Sequence, residues 1–103
     1  MSRLTQLQKL HAADPIDADV LYMLAQEHAQ AGDYAEARRW YDRCIEADPA
    51  YLYAYFHKAR AQQASDDTAG AVETLRTGSA RAKSAGDAKA EREILALIDE
   101  LGG

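Results

Sequence analysis

Apolar residues recur along this chain at three- and four-residue steps, the spacing that places them on one face of an α-helix. Within residues 17–31, for example, Val20, Leu21, Leu24 and Ala25 form one such stripe. No segment keeps the two-residue alternation of apolar and polar positions that is typical of a strand. The pattern therefore predicts an all-α fold. The predicted helices, about six in number, cover residues 3–13, 17–31, 34–47, 51–64, 68–85 and 87–101.

The helices are interrupted at a fixed interval. Pro15 and Pro49 each end the same tripeptide, Ala-Asp-Pro, and we call the interval between these two prolines the repeat period. Proline disfavours a helical residue before it, so each tripeptide ends a helix. Gly32 and Asp33 stand between the two helices of the first unit, where glycine suits the left-handed residue that closes one helix and aspartate caps the next. A fixed period of this length is the sequence signature of stacked helical repeats.

The pattern predicts a single domain over residues 1–103. In this domain an incomplete unit precedes two full repeats, and an amphipathic helix follows them. That last helix is expected to be a cap, because the end of a stack otherwise exposes its apolar face. Gly78 lies at a small site on the packed face of the second repeat and predicts a close approach between helices. The units are a half-repeat helix at residues 3–15, a first repeat at residues 17–49, a second repeat at residues 51–85 and a capping helix at residues 87–101.

Composition sets the broad class of the protein. Seventeen acidic against twelve basic residues give a net charge of −5, which argues against nucleic acid and anionic membrane surfaces as partners. An apolar fraction of 48% is typical of a globular chain, and no apolar run is long enough to span a membrane. The single cysteine excludes an internal disulfide framework, and the first residues lack the apolar run of a signal peptide. We therefore expect a cytoplasmic location.

Catalytic and metal-binding patterns are absent from the sequence. None of the three histidines, His11, His28 and His57, has a second histidine four residues away, the spacing of a zinc site on one helix. Cys44 lies on the packed face of its helix, where a thiol acts as a small apolar group rather than a nucleophile. No glycine-rich segment resembles a phosphate loop. These observations predict a protein that is not an enzyme and that needs no metal or cofactor.

The residues that recur at the repeat period carry a family resemblance. The first repeat resembles the tetratricopeptide repeat family in Leu21, Leu24, Ala25, His28, Ala37, Tyr41 and Pro49. The second repeat is similar to the family in Tyr55, Ala59, Ala71 and Leu75, and departs from its pattern at Lys58 and Gln62. The resemblance implies antiparallel helix pairs stacked into a right-handed superhelix, an α-α solenoid in which the first helix of each pair lines a concave groove.

The resemblance also implies a function, since members of this family commonly bind an extended or helical peptide in the concave groove. The expected partner is therefore a peptide or protein segment. Aromatic side chains beside amide and cationic donors suit such a surface, because tyrosine, tryptophan and arginine dominate the binding energy of interfaces. Residues 52–83 carry five basic and three acidic residues, which favours an acidic segment. The predicted partner-binding residues are Tyr22, Gln26, Gln30, Tyr53, Phe56, His57, Arg60 and Gln63.

Two further expectations concern the partner and the assembly. Chaperone-binding members of the family hold a carboxylate with a clamp of Lys, Asn and Arg, whereas Tyr22, Gln26 and His57 stand at the matching places here. The resemblance therefore implies that a chaperone C-terminus is not the ligand. The alternative function is structural: an apolar face or the end helix, with its stripe around Ile94 and Leu97, would join two copies in a homodimer. We expect a monomer or a weak homodimer.

Overall fold

The computed structural model describes residues 2–103, so Met1, the first residue of the predicted domain, lies outside the described residues. Between residues 2 and 103 the chain forms six helices and no strand. The prediction of an all-α fold with about six helices is confirmed. The helices are α1 (Arg3–Ala13), α2 (Ala18–Gln30), α3 (Tyr34–Ala47), α4 (Leu52–Ala64), α5 (Thr68–Ala85) and α6 (Ala88–Glu100).

Aspartate side chains begin four of these helices. The Oδ1 atoms of Asp17, Asp33, Asp67 and Asp87 each accept a backbone N–H from the first turn of the helix that follows. Such caps satisfy amide groups that have no partner inside the helix, and each stabilises its helix by about 1 kcal/mol. The predicted cap at Asp33 is confirmed. Helix α4 begins differently, after Tyr51 and without a side-chain cap.

Left-handed residues close three of the turns between consecutive helices. Gly32 between α2 and α3 has φ 80°, and Gly86 between α5 and α6 has φ 72°. Asp66 has φ 64° and stands one repeat period after Gly32, so an aspartate adopts in the second repeat the conformation that glycine adopts in the first. These conformations end one helix and redirect the chain into the next, which then packs against it.

The helices form two layers. In the inner layer α2, α4 and α6 lie side by side: Tyr22 on α2 contacts His57 on α4, and Arg60 on α4 pairs with Glu100 on α6. In the outer layer, α3 packs on both α2 and α4, and α5 packs on both α4 and α6. Helix α1 packs on α2 at the amino end of the stack. The inner layer therefore presents one continuous face that three helices share.

The core lies between the two layers. Its largest fully buried side chains include Leu21 and Leu24 from α2, Tyr41 from α3, Leu75 from α5 and Ile94 from α6. Three of the six buried residues of α4 are alanines, which lets the helices on either side of it approach closely. Because α4 is the middle helix of the inner layer and packs on α3, α5 and α6, the position of its outward side chains is fixed on several sides.

Gly78 marks a close approach between α5 and the helices of the inner layer. A Cβ atom at this position would lie 2.7 Å from Tyr55 Cβ on α4 and 3.4 Å from Ile94 Cδ1 on α6. The first distance is shorter than carbon–carbon contact allows, so glycine is the residue that fits without a shift of α4. The predicted close approach is confirmed.

The apolar stripe of α6 is used inside the protein. Ala90, Ile94, Leu97 and Ile98 are buried in the same cluster as Leu75 of α5. Ile94 and Leu97 are 0% and 3% exposed, so the stripe packs inside the protein and leaves little surface for a second copy of the chain. A homodimer through the end helix would therefore need other residues of α6, such as the exposed Leu95, and stays a prediction.

Candidate functional site

The exposed face of the inner layer brings most of the predicted binding residues together. Tyr22 and Gln26 lie four residues apart on α2, and Phe56 and Arg60 lie four residues apart on α4. Residues at this spacing are neighbours on one face of a helix. We call the surface that this face forms on α2, α4 and α6 the inner groove.

An aromatic cluster occupies the step from α2 to α4. The ring centroid of Tyr22 lies 5.0 Å from that of Tyr51 and 5.8 Å from that of His57. The His57 ring in turn lies 5.2 Å from Phe56, at an interplanar angle of 74°, and stacks at 6.4 Å on Tyr41. Ring pairs in these arrangements attract each other and hold one another in place. Because Tyr22, His57 and Phe56 are partly exposed, the aromatic cluster offers ring surface to a ligand.

Hydrogen bonding and burial determine the charge of the aromatic cluster. The Tyr51 hydroxyl donates to Asp19 Oδ1 at 2.8 Å, which ties the start of α4 to the start of α2. Burial raises the pKa of the Tyr22 phenol, which therefore stays neutral at physiological pH. Burial lowers the pKa of His57, and the neighbouring Arg60 guanidinium adds to the effect. The rings of the cluster are thus uncharged near neutral pH.

A cavity of about 300 Å³ lies at the next step, between α4 and α6. The guanidinium carbon of Arg60 lies 5.6 Å from the centre of the Phe56 ring, within the range of a cation–π contact. The same guanidinium pairs with Glu100 Oε2 at 3.1 Å and donates to Gln63 Oε1 at 3.3 Å. We call this space the α4–α6 cavity, and it is lined by Phe56, Arg60, Glu93, Ala96, Leu97 and Glu100.

Tyr53 of α4 lies on the side of the inner groove that faces α6. It is half-buried on α4, one turn before Phe56 and His57. Hydrogen bonding to the Glu93 carboxylate raises the pKa of the Tyr53 phenol, with smaller contributions from burial and from the charges of Glu93 and Asp87. This contact places Tyr53 beside the α4–α6 cavity rather than in the aromatic cluster.

The three predicted glutamines differ in their placement. Gln63 lies next to the α4–α6 cavity through its contact with Arg60. Gln26 is half-buried on α2, and Gln30 is exposed at the last position of that helix. Within residues 2–103, neither of those two side chains forms a hydrogen bond with the other predicted residues. Gln63 therefore lies beside the cavity and the other two do not, and a binding role for all three glutamines stays a prediction.

The charge of the inner groove differs from the expectation drawn from composition. Of the five basic residues in 52–83, Arg60 alone lines the α4–α6 cavity, and it is already paired with Glu100. The Lys58 ammonium lies on the other side of α4, paired with an aspartate of α3. The remaining three basic residues are on α5, in the outer layer. Two carboxylates and one guanidinium line the cavity, so the geometry gives the expected acidic partner no support.

A second cavity, of about 390 Å³, lies between α3 and α5 in the outer layer. It is lined in part by Lys58, whose ammonium is 2.6 Å from Asp42 Oδ1. Gln62, on the same side of α4, is buried and accepts a hydrogen bond from the Thr74 hydroxyl at 2.7 Å. The two residues of the second repeat that depart from the family pattern are thus satisfied by polar partners in the outer layer.

The sequence does not predict the contribution of α6 to the site, because its pattern indicates only a cap or a contact between two copies. Glu93, Ala96, Leu97 and Glu100 all line the α4–α6 cavity. The available signal is their spacing, because Glu93 and Glu100 are seven residues apart and therefore lie two turns apart on one helix face. Tyr51 was also missed, since it precedes α4 rather than lying on its outward face.

The other candidate groups from the sequence have packing environments. His11 and His28 contact the Trp40 ring, with centroids 5.0 Å and 6.4 Å apart. The Cys44 thiol is buried 3.4 Å from the Ala18 carbonyl oxygen, and burial raises its pKa to about 12. In the part of the chain that the structure describes, no group of three or more side chains is arranged to hold a metal ion. None of the described helices combines the length and the apolar character that a membrane crossing requires.

Comparison with known sequences gives matches over most of the chain. Family models described as tetratricopeptide repeat match residues 18–51 and 52–77, which together make up more than half of the chain. A TPR repeat-containing protein of Pseudomonas aeruginosa is 33% identical over 95 residues, which cover 92% of this chain and 90% of that protein.

Solved structures share the arrangement of the helices. The TPR2B domain of yeast Sti1, solved as a complex with pHsp70, matches with a TM-score of 0.89 and 27% identity, over 96% of this chain and 79% of that chain. A tetratricopeptide repeat domain protein from Salinibacter ruber matches with a TM-score of 0.79 and 28% identity, over 85% of this chain and 89% of that chain. The repeated helix pairs, the two layers and these matches agree, and the chain belongs to the tetratricopeptide repeat family.

Proposed function

We propose that this protein is a non-catalytic interaction module that binds a peptide or protein segment in the inner groove. The observation that carries the proposal is the series of ring contacts from Tyr22 through His57 to Phe56, which continues into the α4–α6 cavity. The tetratricopeptide repeat family is a family of protein-interaction scaffolds, and the similar Sti1 domain is seen in a complex with pHsp70.

The inner groove has the physical properties of a protein-binding surface. Tyr22, Phe56 and His57 supply ring area that loses little conformational freedom on binding, because each side chain has few rotatable bonds. Their mutual contacts, and the hydrogen bond from Tyr51 to Asp19, already order the surface in the free protein. Preorganisation of this kind reduces the entropy that a ligand must overcome. The α4–α6 cavity adds a concave space in which one ligand side chain can be anchored.

Several finer features belong to the proposal. The ligand is not a chaperone C-terminus held by a carboxylate clamp, because Tyr22, Gln26 and His57 occupy the clamp positions. It is not a nucleic acid, because the α4–α6 cavity contains two carboxylates beside its one guanidinium. The protein acts in the cytoplasm as a monomer or weak homodimer, with residues 1–103 as one domain.

Truncation of Phe56 tests the proposal most directly. Phe56→Ala removes the ring that connects the aromatic cluster to the α4–α6 cavity. Aromatic residues at the centre of an interface commonly contribute about 2 kcal/mol or more to binding. We expect the partner, recovered by affinity capture from a native lysate and identified by mass spectrometry, to bind the variant at least about tenfold more weakly in calorimetry.

Leu95→Ala is the matched control, because Leu95 is 47% exposed on α6 and does not line the cavity. Leu95→Ala should capture the same partner as the unmodified chain. Both Leu95→Ala and Phe56→Ala should keep the far-ultraviolet circular dichroism spectrum of the unmodified chain. Full retention of the partner by a folded Phe56→Ala variant contradicts the proposal. Recovery of this chain alone from every bait, together with a dimer mass in light scattering, supports the self-associating alternative instead.

A further inference from the structure

Arg60 shows what kind of group the α4–α6 cavity accommodates. Its guanidinium lies 5.6 Å from the centre of the Phe56 ring and 3.1 Å from the Glu100 carboxylate. The cavity thus already holds a cation, which the protein supplies from its own α4. The side chains of Arg60 and Glu100 are 46% and 58% exposed, and an ion pair that is so accessible to water is weak and readily exchanged.

The cavity has more negative charge than Arg60 balances. Glu93 and Glu100 both line it, and within the described chain Arg60 forms its ion pair with Glu100. Glu93 instead interacts with the Tyr53 phenol, a neutral group whose pKa it raises. Gln63 Oε1, 3.3 Å from the Arg60 guanidinium, already accepts a hydrogen bond from that group. Arg60 can therefore keep a hydrogen-bond acceptor when a second cation takes its place at Glu100.

The walls of the cavity suit the aliphatic part of a long side chain. Phe56, Ala96 and Leu97 supply apolar surface, and the small side chain of Ala96 leaves space between the other two. Arginine and lysine pack their methylene groups on such a surface while the charged end reaches a polar rim. A guanidinium in addition stacks on aromatic rings and pairs with a carboxylate through two parallel hydrogen bonds, which an ammonium does not do.

We propose that the α4–α6 cavity binds an arginine side chain of the partner, with its stem on Phe56 and its guanidinium between Glu93 and Glu100. This inference rests on the proposed function of the inner groove and specifies one anchor of its ligand. The incoming guanidinium occupies the place that Arg60 now holds, and Arg60 moves aside. The partner is therefore a segment with an arginine at the position that meets α4 and α6.

Titration of the full chain with N-acetyl-arginine amide tests the site directly, with backbone amide shifts in NMR as the readout. N-acetyl-citrulline amide has nearly the same shape without the charge and is the matched control ligand. We expect saturable shifts at Phe56, Leu97 and Glu100 with the arginine compound, and a dissociation constant in the millimolar range for so small a ligand. The citrulline compound should give no saturable shift. Low ionic strength limits the screening of these exposed charges.

Three variants separate the charges of the cavity. Glu100→Gln should weaken binding of the arginine compound by about two- to five-fold, because it removes a half-exposed counter-charge. Arg60→Gln should strengthen binding by a similar factor, because no internal cation then competes. Asp99→Asn makes the same change in net charge as Glu100→Gln at an exposed residue that does not line the cavity, and should leave binding unchanged.

Equal shifts with the citrulline compound, the absence of saturable shifts, or loss of binding in Arg60→Gln would overturn the proposal. These outcomes are distinguishable from failure of the proposed function, because the titration needs no partner. Partner capture that depends on Phe56, together with no binding of the arginine compound, rejects the arginine site alone. Binding of the arginine compound by a chain that captures no partner rejects the proposed function alone.

Discussion

The two end helices of the stack are held in very different ways. Helix α1 buries one side chain, Leu7, whereas α6 buries four, Ala90, Ile94, Leu97 and Ile98. The residues of α6 join the largest buried cluster, together with residues of α4 and α5. Helix α1 instead shares a small cluster with α2. Helix α6, which forms one side of the inner groove, is therefore part of the main core. Helix α1 is attached through few buried side chains.

Helix α1 also has a ring contact and an ion pair with the neighbouring helices. His11 meets the Trp40 ring edge-on at 5.0 Å, which links α1 to α3. Arg3 pairs with Glu27 at 2.6 Å, with the arginine side chain 60% exposed. Ion pairs on the surface add little to stability because water competes for both charges. Most of the free energy that holds α1 in place therefore comes from the apolar cluster in which Leu7 is buried and against which Leu4 packs.

Ile94→Ala is expected to have the largest effect on stability. Ile94 is fully buried where α6 meets α5, next to Gly78, so its truncation leaves a cavity in the main core. We expect the free energy of unfolding to fall by about 3 to 4 kcal/mol, a large part of the total for a domain of this size. Urea unfolding followed by circular dichroism measures the loss. A loss below about 1 kcal/mol, the effect of an average substitution, would show that α6 is not held by this core.

Leu7→Ala should have a smaller and more local effect. We expect a loss of about 2 kcal/mol, at the lower end for a buried leucine, because the cluster around α1 can close over the space. Trp40 is the single tryptophan and lies against His11 of α1, so its fluorescence reports whether α1 is attached. The fluorescence change should occur at a lower urea concentration than the circular dichroism transition. In Ile94→Ala the two transitions should coincide.

Leu10→Ala is the matched control on the same helix. Leu10 is 53% exposed, so its truncation should change the free energy of unfolding by no more than about 0.5 kcal/mol. Coincident transitions in Leu7→Ala, with a loss as large as that of Ile94→Ala, would contradict the distinction between the two ends of the stack.

Features of the fold that depend on local chemistry could be predicted from the sequence. Gly32 is the left-handed residue and Asp33 the cap at the turn where the pattern predicts them. Gly78 lies at the predicted close approach, because a small residue inside a helix is favoured where neighbouring backbones come near. Asp66 shows a limit of such reasoning. Its positive φ follows from its place one repeat period after Gly32 and not from the residue type, since aspartate adopts that conformation less readily than glycine.

Half of the candidate site could be predicted in the same way, and the other half could not. Helical spacing identifies the outward residues of α2 and α4, which begin one repeat period apart at Ala18 and Leu52. Helix α5 has 18 residues against 14 in α3, so α6 begins later than one repeat period after α4. Which residues of α6 meet α4 then depends on tertiary packing. The ion pair between Arg60 and Glu100, which are separated by 40 positions, therefore cannot be predicted from the sequence.

The net charge of a segment was likewise a poor guide to the charge of the groove. Residues 52–83 have an excess of basic residues, but a sum over the segment does not say which layer each side chain faces. Lys58 and Arg60, two positions apart on α4, point to opposite sides of the helix and pair with Asp42 and Glu100. Only the packing of α4 against its neighbouring helices decides which of the two cations faces the inner groove.

Protonation of His57 should have the smallest effect on the free energy of unfolding. It tests whether the centre of the inner layer is independent of helix α1 at the amino end of the stack. Burial among rings, with the charge of Arg60, lowers the pKa of His57. Below the ordinary histidine pKa of about 6.5, the unfolded chain then takes up this proton more readily than the folded chain. The contribution of His57 to stability is therefore complete above about pH 6.5 and decreases as the pH falls toward its folded pKa.

Urea unfolding at about pH 7.5 and about pH 5, on either side of the ordinary histidine pKa, measures this decrease. His57→Gln should lose less stability on acidification than the unmodified chain, because the folded and unfolded states of the variant no longer differ in proton uptake at this position. His57 contacts the rings of Tyr22, Tyr41 and Phe56, whereas Leu7 belongs to the cluster of Val20 and Leu24, so the pH effect should persist unchanged in Leu7→Ala. A pH effect that disappears in Leu7→Ala would mean that α1 and the centre of the inner layer are coupled, and that α1 is not attached independently of the rest of the stack.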